Sequence, residues 1–105
     1  MSILETERVD AIGKDGNILR LAIFDSLDWD YEDMHLDLLQ EKLNNYLTFL
    51  IDKQYVQNYG DDFEEKAIDI YFQNQVTSNS IKLINVFSSI AEDEGIVINL
   101  HLPSQ

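Results

Sequence analysis

The chain has 105 residues, 45% of them apolar, no cysteine, and 20 acids against 7 lysines and arginines for a formal net charge of −13. This is the length of one domain, read as residues 1–105 with a core from about 8 to 102, and enough apolar mass for one packed core. The missing cysteines exclude disulfides, zinc–thiolate sites and thiol catalysis and suit a cytoplasmic protein, while the negative field repels phosphate backbones and anionic lipid.

The opening stretch MSILETERVD carries no basic region followed by an apolar run, so it does not read as a signal peptide. No window approaches the roughly 18 apolar residues of a membrane helix, and no membrane association is expected. From Val9 to Asp25 the pattern reads as a β-hairpin. Val9 to Gly13 is the first strand, Asp15-Gly16 the tight turn, and Ile18 to Asp25 the second strand, with Leu19, Leu21 and Ile23 on one face. That register sets Ile12 opposite Leu19 and Asp10 opposite Leu21, an awkward place for an acid unless the hairpin opens there or the turn is longer.

Residues 31–52 predict the strongest helix, since Leu36, Leu39, Leu43, Tyr46 or Leu47, and Leu50 recur at three- and four-residue spacing. The stretch from Lys53 to Glu65 reads as a frayed helix end and a loop, its Tyr55, Tyr59 and Phe63 folding back onto the core. Lys66 to Gln73 alternates as a half-buried strand, Ile68, Ile70 and Phe72 on one face and Ala67, Asp69 and Tyr71 on the other. A polar loop rich in capping residues then leads into a helix over 80–94. Leu83, Ile84, Phe87, Ile90 and Ala91 form its stripe, and Gly95 lies just past its end. The last strand has Ile96, Ile98, Leu100 and Leu102 inward and Val97, Asn99 and His101 outward, and Pro103 ends its pairing.

The expected fold is α+β: a β-β-α-β-α-β two-layer sandwich, with a four-stranded, mainly antiparallel sheet and two helices on one face. The other face would carry Val9, Ala22, Phe24, Tyr71 and Val97, an apolar patch that predicts a homodimer.

The segment around Trp29, followed by the run His35-Leu-Asp-Leu-Leu-Gln-Glu-Lys-Leu-Asn-Asn-Tyr-Leu-Thr-Phe49, resembles a family of small acidic bacterial proteins of unknown function. The resemblance covers roughly residues 9–100. It implies an N-terminal hairpin ending in a Leu-Asp-Trp segment and then this helix, and it implies no activity. The stretch LIDKQYVQNYG departs from the family pattern, which has an acidic glycine-containing turn there.

The stretch SLDWDYEDMH, from Ser26 to His35, holds the single tryptophan, one of two histidines and four acids. Asp28 or Asp30 fits an N-cap, with Glu32 and Asp33 favoured in the first turn by the helix dipole. An EF-hand is excluded, because Asp33 stands where the loop needs glycine and Leu39 where it needs glutamate. Trp29 reads as a core lid or, exposed and rimmed by acids, as an anchor for a partner, a part Tyr31 could share. His35 is expected to pair with an acid one turn away. No serine-nucleophile motif and no glycine-rich phosphate loop occurs, so no catalytic residue, metal site or cofactor is assigned.

Three functions follow from this reading. The first is a non-enzymatic protein-interaction module, of the immunity or inhibitor type, that meets a basic partner through Asp28, Trp29, Asp30, Tyr31, Glu32 and His35. The second is a divalent-cation-binding protein or enzyme using the acids between Asp25 and Asp37. The third is an acidic mimic of nucleic acid, its acids falling in blocks at 25–37, 61–65 and 92–94.

Overall fold

The computed structural model describes residues 3–103. The elements run β1 (Ala11–Asp15), β2 (Ile18–Asp25), α1 (Glu32–Ile51), α2 (Val56–Tyr59), β3 (Glu65–Phe72), α3 (Ser78–Asp93) and β4 (Ile96–His101). The α+β class and the four-stranded sheet agree with the sequence reading. The sheet order is β1-β2-β3-β4.

The mainly antiparallel sheet is corrected to a mixed one. Only β1 and β2 are antiparallel; β2–β3 and β3–β4 are parallel. The reason is helix length. At about 1.5 Å per residue, α1 and α3 are long enough to carry the chain back along a whole strand, so each next strand starts at the same end as the last. Both crossovers step the same way across the sheet, and crossovers of one hand then lie on one face.

The hairpin register also differs from expectation. Asp15 pairs with Ile18 and Ala11 with Ala22, so the turn is Gly16-Asn17 and β1 starts two residues later than Val9. Of the two turn residues only Gly16 has positive φ (61°), matching the φ signs of a type II′ turn. Ile12 therefore faces Leu21, and Asp10 lies beyond the paired strand.

One sheet face carries Leu19, Leu21 and Ile23, then Ile68, Ile70 and Phe72, then Ile96; these pack with Leu39, Leu43, Tyr46, Leu50, Ile84 and Phe87 of the helices. Leu102 and Ile90, expected inward, are exposed. Helix α1 ends in a Schellman arrangement: the Lys53 amide donates to Leu50 O and the Gln54 amide to Phe49 O, with Lys53 at φ 57°. The chain then forms the short α2, where the sequence suggests a frayed helix end and a loop, and Tyr55 is buried as expected. Thr77 caps α3 in a reciprocal box with Ser80, and Gly95 at φ 72° ends it.

Candidate functional site

Asp25 ends β2 and turns under the sheet, where desolvation is costly unless a partner is present. Its partner is His35, one turn into α1. His35 Nε2 lies 2.6 Å from Asp25 Oδ2, and both side chains are buried. The other ring nitrogen, Nδ1, is 2.9 Å from the Asp28 carbonyl. A carbonyl only accepts, so Nδ1 carries the hydrogen. Nε2 and Asp25 Oδ2 then share a single proton, as imidazolium and carboxylate or as imidazole and carboxylic acid. Burial pushes the Asp25 carboxyl above its ordinary value, and the hydrogen bond from His35 opposes it without cancelling the rise. The expected His35 partner one turn away is thereby corrected: the acid comes from the end of the neighbouring strand.

Trp29 closes this pair from above. Its ring stacks on His35 at a centroid distance of 3.6 Å and also meets Phe72. It is half-buried, packed against the core, and its indole N–H is buried without an acceptor. Leaving such a donor unpaired costs about 1–3 kcal/mol.

The segment between Trp29 and His35 turns outward. Tyr31 is 76% exposed and Met34 50%. Asp28, Asp30 and Asp33 are exposed beside them. The N-cap expectation is corrected: Tyr31 holds that position without a side-chain cap, while Asp28 Oδ1 instead accepts from the Asp30 amide at 3.0 Å. Glu32 and Asp33 do lie in the first turn. Glu32 accepts from Asn79 of α3, and hydrogen bonds from Thr77 and Asn79 hold its carboxyl below the usual range. The acids of 25–37 thus split between inward and outward roles. Among the described residues no three His, Asp or Glu side chains converge as a metal site.

Two polar clusters escaped the sequence reading. Asp10 and Lys42 form a buried pair at 2.7 Å. Asp10 also accepts from the Phe24 amide at 2.8 Å, extending the contact between the two chain segments just before β1 begins, and its own amide donates to the Tyr46 hydroxyl at 2.7 Å. The awkward acid of the hairpin is therefore a structural acceptor. A polar residue standing where a core leucine's partner should be was the available signal, and its mate at a helical Lys was not foreseeable from spacing.

The second cluster occupies the open sheet face. Asp69, 3% exposed, takes hydrogen bonds from Arg20 of β2 and from Asn99 and His101 of β4. Burial raises its carboxyl, and the bonds from His101, Asn99 and Arg20 outweigh this and hold it below its ordinary value. Above it Phe24, Tyr71 and His101 stack across three adjacent strands at 5.6 and 4.3 Å. Of the expected dimer patch, Ala22, Phe24, Tyr71 and Val97 share this face. Val9 does not: it precedes β1 and packs against the core beside Tyr46 and Phe49. His35 and His101 lie on opposite faces of the sheet and cannot share a metal.

The chain is thus a four-stranded open-faced sandwich in which Asp25, His35 and Trp29 pack together beneath a short, exposed acidic and aromatic segment. The chain belongs to the DUF6572 family, a family of unknown function, matched over residues 1–104. No curated protein and no solved structure matches it.

Proposed function

We propose that the protein is a non-enzymatic interaction module that offers the Asp28–Met34 segment to a basic protein partner, as an inhibitor or immunity-type protein would. The observation that carries this reading is the exposure of Tyr31 and Met34 amid Asp28, Asp30 and Asp33. Exposed aromatic and thioether side chains are typical anchors, and a rim of one charge sign selects and steers an oppositely charged partner. The chain's net charge of −13 adds a long-range field of the same sign. Trp29 serves from behind, since its stacking on His35 fixes the backbone from which Tyr31 projects. A loop held rigid before binding loses less entropy on binding.

The test is capture from lysate of the native host by wild type, Tyr31→Ala and Met34→Ala, at low and high salt. The expected result is a basic protein retained by wild type, lost with Tyr31→Ala and weakened by salt. Equal capture by all three proteins removes the segment from the interface and the reading with it.

A further inference from the structure

We infer that two copies of this chain pair along β4, edge to edge and antiparallel, joining their sheets into one of eight strands. β4 is the last strand in the order, bonded to β3 on one side and to no described strand on the other. A strand in that position presents a row of backbone donors and acceptors that will pair with another chain unless charge, proline or a bulge prevents it. β4 has none of these: Ile96-Val97-Ile98-Asn99-Leu100-His101 contains no lysine, arginine, aspartate or glutamate. The opposite edge, β1, is shorter and carries Lys14 and Asp15.

Charge selects both the surface and the direction. Two chains of −13 repel, so they meet most easily where acids are absent. The acids beside β4 gather at its start: Glu92, Asp93 and Glu94 precede it, and Glu64 and Glu65 lie next to Ile96 and Val97. Antiparallel pairing sends these blocks to opposite ends of the joint, roughly 30 Å apart at about 3.3 Å per residue and well beyond the ~8–10 Å screening length. Parallel pairing would set them side by side. Asp69, the acid of the open face nearest β4, is already matched by Arg20, Asn99 and His101.

The pleat restricts the register. Residues directly opposite in an antiparallel pair share a face, so a two-fold joint must be centred on a single residue. Centred on Asn99, it sets Ile98 and Leu100, both half-buried, against Leu100 and Ile98 of the partner subunit and extends the helix-covered core across the joint. Val97, Asn99 and His101 meet on the open side with no like charges opposed. Face-to-face pairing of the open sheets would instead bury Arg20 and Asp15 with the Asp69 cluster, at a desolvation cost.

Light scattering across a dilution series, with circular dichroism as the check on folding, tests this on wild type, Val97→Glu and Phe24→Glu. Val97 lies on the edge strand and Phe24 two strands away on the open face. Wild type and Phe24→Glu should show twice the 12.2 kDa chain mass at high concentration, and Val97→Glu the single mass. Independently of any variant, alternate β4 amides of wild type should exchange slowly when concentrated and rapidly when dilute. A single mass for wild type throughout, a dimer that survives Val97→Glu, a dimer lost with Phe24→Glu, or β4 exchange that ignores dilution each overturns the inference.

Discussion

His35 Nε2 and Asp25 Oδ2 lie 2.6 Å apart, out of contact with water, and join the end of β2 to the start of α1. The pair lies under the Trp29 ring, and Tyr31, just before the helix, is exposed. Removing one partner of such a pair leaves the other buried and unsatisfied. His35→Leu should therefore cost about 3–5 kcal/mol in urea denaturation. Asp25→Asn should cost under about 1 kcal/mol, since the amide can donate to Nε2 while its oxygen still accepts from the Leu27 amide. The pH dependence separates them further. The Asp25 carboxyl is raised by burial, so its contribution is full below its ordinary value of 3.8 and is lost as pH climbs through the raised value. Asp25→Asn should gain on wild type as pH rises; a constant gap would show that the pair does not hold its proton as described.

Trp29 offers a sharper contrast between shape and polarity. Its indole N–H is buried without an acceptor, so the ring stabilises by stacking while the N–H opposes. Trp29→Phe keeps a ring over His35 and removes the orphaned donor. It should change stability by less than about 1 kcal/mol in thermal or urea unfolding. Trp29→Ala should cost about 2–3 kcal/mol, somewhat less than the ~3–5 kcal/mol of a fully buried aromatic. Equal losses in the two variants would mean that the N–H has found a partner.

Asp69 should be felt in acid. Its carboxyl is held below its ordinary value of 3.8 in the folded state, so its contribution is present above that value and is lost as pH falls through the lowered one. The stability difference between wild type and Asp69→Ala should be largest near neutral pH and shrink in strong acid. A difference independent of pH would assign the loss to packing alone.

Lys53 occupies a backbone conformation that glycine takes more easily. At φ 57° its Cβ is strained by about 1–2 kcal/mol, offset in part by the greater freedom glycine has when unfolded. Its ion pair with Asp61 is exposed and worth little. Lys53→Gly should raise stability by roughly 0.5–1 kcal/mol, read from the urea midpoint; a loss would show that the Asp61 contact outweighs the strain.

Much of the secondary structure was legible because it is written in local periodicity. The leucine spacing of α1, the alternation of β3 and β4, and Gly95 at the end of α3 each state a period or a backbone need within a few residues. Family membership is consistent with the resemblance carried by the helix from His35 to Phe49. Strand direction was not legible, because alternation is the same read forwards or backwards; only the return path of α1 and α3 makes β2, β3 and β4 parallel. Lys53 hid the end of α1, where a glycine would have announced it.

The sequence by itself determined the single apolar core, the negative field, the two long helices and the faces of the strands, all properties of composition and short-range period. The tertiary structure alone decided the partnerships of charge. Asp25 with His35, Asp10 with Lys42, and Asp69 with Arg20 and His101 each join residues from different elements. A buried acid needs a partner at hydrogen-bond distance, and which base arrives there depends on strand order and crossover path, which no local stretch records.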